Sequence, residues 1–392
     1  MVLLLLLLAD PDVVSRSARD KAASLLEAEV ASSRGGAIIH RVWHDGAIVH
    51  EAAAGGLTPS SIVRIYSMTK PVTSVAAMML HEQGRFALDD PVADYLPKFA
   101  DVQVYDARRR TLVPPKRPLT VRDVMRHTTG YAYAAVETPA VNMHYVRWKL
   151  LYDPLRMTPP DLRLDAFADR LAAVPLLHQP GQRFTYGYST DLLGRLIEVW
   201  SGQTLDRYFS DAIFTPLGMT DTAFDVPEAK RDRVADLYTT KGGRAVVALA
   251  GSESPFNEGF RFLSGGGGLS STLDDYTKFA AMLARRGRVG DRQLVQPETL
   301  RLTQTNQLPR GRFRFGLGFK IEPLTLRRGG RRIATEQYGW SGAASTRFEV
   351  VPDAGLVQIA LRQHMPQDLA VIDRMFEAIN EGIDPRVVVK SE

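Results

Sequence analysis

Ser67 and Lys70 stand three residues apart at the start of the apolar run Ser67-Met68-Thr69-Lys70-Pro71-Val72-Thr73-Ser74-Val75-Ala76-Ala77-Met78-Met79-Leu80, so on a helix both side chains leave the same face. A serine hydroxyl is unreactive until a base takes its proton, and a helix N-terminus adds free backbone N–H groups. A lysine buried in apolar surroundings is less readily charged, which suits it to proton handling. A cap plus a surface lysine would produce the same spacing. A second candidate lies in Pro180-Gly181-Gln182-Arg183-Phe184-Thr185-Tyr186-Gly187-Tyr188-Ser189-Thr190-Asp191-Leu192-Leu193-Gly194, a turn and an aromatic stretch entering an apolar helix. A tyrosine there can face a cleft, where a nearby lysine cation acidifies its phenol and lets it relay a proton. It can equally pack its ring and bond its hydroxyl locally. The third candidate is Tyr338-Gly339-Trp340-Ser341-Gly342-Ala343-Ala344-Ser345-Thr346-Arg347-Phe348. Its small residues let backbone approach a substrate, and an N–H near Ala343 with that of Ser67 would make an oxyanion hole.

These segments need a frame to bring them together. Helical spacing predicts a first helix from Ser15 to about Glu29. Asp45-Gly46 then joins two strand-like runs, 37–44 and 47–50, as a hairpin. The Ser67 helix tolerates Pro71 in its first turn and stops at Gly84. From Asp89 to about Gly259 proline is frequent and short helices alternate with turns, one capped at Thr120-Val121-Arg122-Asp123. Beyond Gly265-Gly266-Gly267-Gly268 come a helix from Leu273 to about Arg285, then strands over Phe315 to Ile321, Gln337 to Trp340, Thr346 to Val351 and Leu356 to Arg362. The last two strands join through Pro352-Asp353-Ala354-Gly355, and a final helix covers Leu369 to Ile379. The pattern implies an α/β fold: an antiparallel sheet with flanking helices built from residues 1–88 plus 260–392, a mostly helical insert at 89–259, and a site in the cleft between them.

In this order and separation the three segments resemble the serine β-lactamase and penicillin-binding-protein superfamily, most closely its family VIII carboxylesterases. The resemblance covers nearly the whole chain. It rests on Ser67-Met68-Thr69-Lys70, on Asp123-Val124-Met125-Arg126-His127-Thr128-Thr129-Gly130, on Tyr186 with its Pro180-Gly181 lead and Leu193-Gly194 tail, and on Trp340-Ser341-Gly342. It implies a β-lactamase/DD-peptidase-like fold, Ser67 as acylated nucleophile, Lys70 and Tyr186 as the proton-handling pair, and backbone N–H groups of Ser67 and Ala343 as oxyanion donors. Tyr186 is preferred to Tyr188 because it stands eight residues before Gly194; Tyr188 falls where many lactamases carry the asparagine of Tyr-x-Asn. Trp340 stands where lactamases place the lysine of Lys-Thr-Gly. An indole there removes a charge-assisted bond to a substrate carboxylate, worth about 1.5–3 kcal/mol, so esters become the better substrates. His127 belongs to a stretch that is a structural turn in the family, and it is expected to brace loops.

Substrate contacts are expected from Trp340, Ser341, Gly342, Tyr188, Tyr131 and Tyr133. The segment 131–160 also holds Met143, Tyr145, Trp148, Tyr152 and Met157; such side chains wall apolar pockets or pack a helical core. Arg347 and Arg312 are the candidate cations for an amidase, a D-aminopeptidase or a β-lactamase, the alternatives to a short-chain carboxylesterase. An acyltransferase and a non-catalytic binding protein are further alternatives. Gly339 to Ala343 also nearly matches a Gly-x-Ser-x-Gly elbow with His364 downstream, but an elbow leads into a helix and Thr346 to Val351 reads as strand.

The 392 residues are 45% hydrophobic and 24% charged with no cysteine, enough for a large core and incompatible with a disulfide scaffold, a zinc ribbon or a thiol nucleophile. The net charge is only +5. Its one concentrated run, Arg327-Arg328-Gly329-Gly330-Arg331-Arg332, reads as a hairpin tip rather than a nucleic-acid grip. His40, His44 and His50 alternate with apolar residues without a metal-ligand set, and neither metal nor cofactor is implied. The run Leu3 to Leu8 has no preceding Lys or Arg and is closed by Asp10. It is too short to span a bilayer, which favours a cytoplasmic protein, with an atypical export signal as the alternative. The expected partner is a small-molecule ester, with neither nucleic acid nor membrane, and a homo-oligomer is compatible.

Overall fold

Asp45 and Gly46 take φ of +40° and +110°, and across them strands β1 (Ile38–His44) and β2 (Ala47–Ala54) pair antiparallel. The computed structural model describes residues 13–389 except 33–35, 134–136, 152–161, 258, 260–261 and 309–310; the leucine run lies outside the described residues. Helix α1 (Arg16–Ala31) precedes the hairpin, its first turn capped by Ser15 Oγ, which accepts from Ala18 N. Helix α2 (Thr69–Glu82) is buried on every side from Thr69 to Leu80 and ends two residues before Gly84, whose φ is +69°. Strands β3 (Arg314–Phe315), β4 (Lys320–Arg328), β5 (Arg331–Gly342), β6 (Thr346–Val351) and β7 (Leu356–Arg362) complete one antiparallel sheet in the order β3-β4-β5-β6-β7-β1-β2. The arginine run is the β4–β5 hairpin tip, with Arg327 opposite Arg332 and Arg328 opposite Arg331.

Alternation along β1 divides the core. Ile38 and Val42 pack with α1 and the Ala370–Gly382 helix, while Ile39 and Trp43 face the larger cluster that contains α2 and the Leu273–Ala284 helix. The strand read as Phe315 to Ile321 is interrupted, because 316–319 leave the ladder between β3 and β4. Two hairpins unread in the sequence, Val104–Asp106 with Thr111–Val113 and Leu237–Lys241 with Arg244–Leu249, lie in the stretch read as mostly helical. Among the described residues no helix is long and apolar enough to cross a membrane.

His40 shares the face of Ile38 and Val42 and is fully buried, its ring 5.3 Å from His50 and 5.5 Å from Phe376. Burial and the neighbouring His50 push its pKa down to about 3. The unfolded chain therefore binds a proton that the folded chain refuses between pH 6.5 and 3, and this contribution to stability, complete above pH 6.5, is lost as pH falls. From pH 7 to pH 5 the loss from His40 is about 2 kcal/mol. Urea unfolding at both pH values should show it, and His40→Leu should flatten the difference; an unchanged pH slope in that variant sinks the assignment.

The Thr120 capping box is present, with Thr120 Oγ1 accepting from Asp123 N and the Asp123 carboxylate accepting from Thr120 N. The fully buried Asp123 also accepts from Arg117 at 2.6 and 2.9 Å, from Arg126 at 3.0 Å and from Thr128 at 2.9 Å. Removing it strands two guanidinium groups against a buried wall, so Asp123→Ala should cost about 3 kcal/mol in urea unfolding. A change below about 1 kcal/mol would mean that water replaces the carboxylate freely.

Candidate active site

Tyr66 has φ of +44°, a left-handed conformation that a bulky residue adopts only when its surroundings enforce it. It is buried, with its ring edge-on to Phe256 at 6.2 Å. The bend it makes sets Ser67 in a short 3-10 turn, Tyr66–Met68, that runs straight into α2. Lys70 follows one turn later and is almost fully buried.

Three hydrogen bonds radiate from the Lys70 ammonium: to Ser67 Oγ at 3.2 Å, to the Tyr133 hydroxyl at 3.0 Å and to the Gly266 carbonyl at 2.5 Å. The Tyr186 hydroxyl lies 2.7 Å from Ser67 Oγ, and the Lys70 Nζ sits 4.6 Å from the centre of the Tyr186 ring. On its other side Tyr186 OH accepts from Trp340 Nε1 at 3.3 Å. His127 braces this group. Its ring stands 5.2 Å from Tyr186 and its Nε2 is 3.2 Å from Thr190 Oγ1. Burial, reinforced by the Lys70 charge, pushes the His127 pKa well down and keeps the ring neutral.

The end of β5 closes the site from the sheet side. A Cβ on Gly342 would lie 2.3 Å from the Ile65 carbonyl, so only glycine lets this strand abut the chain two residues before Ser67. Ala343 follows directly and lines the same cavity as Ser67. Gln367 Nε2 donates to Gly342 O at 2.7 Å and holds the strand end in place.

Ser67, Tyr186, Trp340, Ser341 and Ala343 line one side of a cavity of about 700 Å³. The rest of the lining comes from Leu237, Thr239 and Ala248 of the Leu237–Leu249 hairpin and from Met365, Pro366 and Gln367. His364 ties these two wall segments together, its Nε2 2.9 Å from Thr240 Oγ1 and its Nδ1 3.2 Å from Pro366 O. No Asp, Glu, Lys, Arg or His is among the described residues lining this cavity. The sequence offered a signal for the hairpin wall in Lys241-Gly242-Gly243-Arg244, a Gly-Gly turn between two β-prone runs.

Of the expected substrate contacts, Trp340 and Ser341 line the cavity, whereas Gly342 does not and instead abuts the Ile65 carbonyl. Tyr133 is instead engaged on Lys70. Tyr131 and Tyr188 do not line the cavity. Tyr131 is fully buried with its ring edge-on to Phe99 at 6.3 Å, and Tyr188 sends its hydroxyl to Leu150 O at 2.5 Å from a core of Tyr133, Tyr145 and Phe167. Tyr145 is core, Trp148 packs against that core, and Met143 is exposed; Tyr152 and Met157 lie outside the described residues. Arg347 projects from the other face of the sheet, where it pairs with Glu349, Asp373 and, at 3.7 Å, Glu322. Arg312 is exposed and does not line the cavity. Ser341 is no nucleophile elbow, since β5 turns into strand β6 and His364 is bonded elsewhere.

The chain resembles known proteins along most of its length. Residues 22–378 match the family model described as Beta-lactamase. The protein Rv1367c of Mycobacterium tuberculosis is 32% identical over 330 residues, 79% of each chain. Esterase EstB of Burkholderia gladioli is 30% identical over 288 residues, 68% of this chain and 66% of EstB. Among solved structures, EstCE1, described as a hydrolase with promiscuous acyltransferase activity, superposes with a TM-score of 0.77 over 93% of this chain and 98% of its own at 21% identity, which shows a shared fold. The chain belongs to the serine beta-lactamase family.

Proposed function

We propose that this family member is a carboxylesterase that acts on uncharged esters through a Ser67 acyl-enzyme. The observation that carries this reading is the unbroken contact from Tyr186 OH to Ser67 Oγ to Lys70 Nζ, opening onto a cavity that has no charged side chain among the described residues lining it. Tyr186, beside the Lys70 ammonium, acts as general base and takes the Ser67 proton, and Oγ attacks the ester carbonyl. The carbonyl oxygen gathers charge against the backbone N–H groups of Ser67 and Ala343, and the alcohol leaves with the proton returned by Tyr186. Water then enters, gives a proton to Tyr186 and attacks the acyl group, and as the acyl–Oγ bond breaks Tyr186 returns that proton to Ser67 Oγ and the acid leaves.

Trp340 takes the place where a lysine would meet a substrate carboxylate, and Arg347 is committed on the far face of the sheet. A penicillin or peptide carboxylate therefore lacks a charged bond worth about 1.5–3 kcal/mol, a factor of about 10–100 in kcat/KM. The cavity holds more than a short acyl chain, so an apolar alcohol fits beside it. That room favours acyl transfer to an alcohol as a second reading, in line with the activity described for EstCE1.

The test is turnover of p-nitrophenyl butyrate against its matched anilide and a carboxylate-bearing cephalosporin, with intact-mass detection of a butyryl adduct. Fast ester turnover with an adduct on the Ser67 peptide is expected. Faster amide or cephalosporin turnover would overturn the esterase reading, and a butyl ester formed in the presence of butanol would establish transfer.

A further inference from the structure

Lys70 has three ammonium protons, and the structure gives each an acceptor: Ser67 Oγ, Tyr133 OH and Gly266 O. The shortest of the three is to a backbone carbonyl, not to a carboxylate. The peptide just before it, between Gly265 and Gly266, is gripped from behind. Asp191, almost fully buried in the first turn of the Ser189–Ser201 helix, accepts from Gly266 N at 3.1 Å and from Ser264 Oγ at 2.5 Å, both on Oδ1. A Cβ on Gly266 would lie 2.6 Å from Asp191 Oδ2, so glycine is required for this approach. Thr73 of α2 fixes the preceding residue by donating to Gly265 O at 2.7 Å.

We propose that Asp191 is a positioning residue for catalysis: its carboxylate, acting through Gly266, orients that carbonyl toward Lys70 and holds Lys70 as an ammonium. The inference rests on the acyl-enzyme reading of Ser67 and deepens it, because an ammonium with all three protons engaged cannot accept the Ser67 proton. That leaves Tyr186 as the base. Burial raises the Asp191 pKa, and the Lys70 charge and the Ser264 and Gly266 donors oppose that rise, as does the helix N-terminus. The other titratable groups placed around Lys70 by the described residues are His127, kept neutral, Tyr133 and Tyr186; Tyr276, on the Leu273–Ala284 helix, is engaged on Met68 O at 2.9 Å.

The experiment compares wild type, Asp191→Asn and Ser264→Ala in kcat, KM and the pH profile of kcat/KM with p-nitrophenyl butyrate, normalised to active sites by acyl adduct and accompanied by thermal unfolding. Asp191→Asn should lower kcat about 10–100-fold with KM within about twofold, and should move the high-pH limb to lower pH by about one unit, since an ammonium without its counter-charge gives up its proton sooner. Ser264→Ala, which removes one donor from the carboxylate, should move that limb in the same direction by less, and it decides the question if Asp191→Asn does not fold. A lowered Tm with an unmoved pH profile in the folded variants means a purely structural role and overturns the proposal. If wild type forms no Ser67 adduct, the acyl-enzyme reading itself fails, and this assignment with it.

Discussion

Ser67→Ala should lose turnover of p-nitrophenyl butyrate by about 10⁴-fold or more and give no acyl adduct, while unfolding within about 1 kcal/mol of wild type. Ser67 is half-buried on the cavity wall, and among the described residues its Oγ hydrogen-bonds with the two groups that handle its proton. Alanine therefore removes the reacting atom and opens almost no void. The Tyr186 hydroxyl keeps its bond from Trp340, so the pair can still orient a water, and the remaining rate reports that water alone. Equal turnover in the variant would discard Ser67 and turn attention to Ser341, whose Oγ accepts a long bond from Gln367 at 3.4 Å.

Tyr186→Phe should lower kcat by about 10²–10⁴-fold with little change in KM. The deleted oxygen is the one 2.7 Å from Ser67 Oγ, and among the described residues no other proton acceptor replaces it, because Lys70 donates there. The ring contacts with His127 and Tyr133 survive the change, so the loss falls on proton transfer and not on the shape of the site. Tyr188→Phe is the control. It gives up a bond to Leu150 O inside the core and should lose about 1 kcal/mol of stability with near-normal kcat. If Tyr186→Phe retained a tenth of the wild-type rate, Lys70 would have to be the base.

Local signals carried much of this molecule. Strands 346–351 and 356–362 lie where β-prone alternation and the Pro352 turn put them, and Asp45-Gly46 turns the first hairpin with the φ values its residue types permit. Ser67, Lys70 and Tyr186 converge as their motifs implied. The cavity walls were not legible in the same way. Aromatic side chains serve core and pocket alike, and only the path of the chain decided that Tyr131 and Tyr188 go inward while Leu237 and Met365 line the cavity. The Gly266 carbonyl that anchors Lys70 is backbone, so no residue type announces it. Arg347 misled for a reason of parity. It precedes Phe348, the residue opposite Trp340 in the ladder, and neighbours along a strand point to opposite faces, so Arg347 turns away from Trp340 and the carboxylates of Glu349 and Asp373 claim it.

The junction of β1 with β7, in which Ile38 lies opposite Arg362, also governs when this protein can come into being on the ribosome. An early hairpin must wait with one edge unpaired until nearly the whole polypeptide has been synthesised. Contacts this remote in sequence are slow to close, and the exposed edge is a template for neighbouring chains in the meantime. Because Ala343 arrives on the same late segment, the nucleophile gains its sheet-side wall only after that closure. A nascent chain halted before β7 would carry Ser67, Lys70 and Tyr186 and still be inert, so an arrest series that stops on either side of this strand would time the birth of activity against the closing of the sheet.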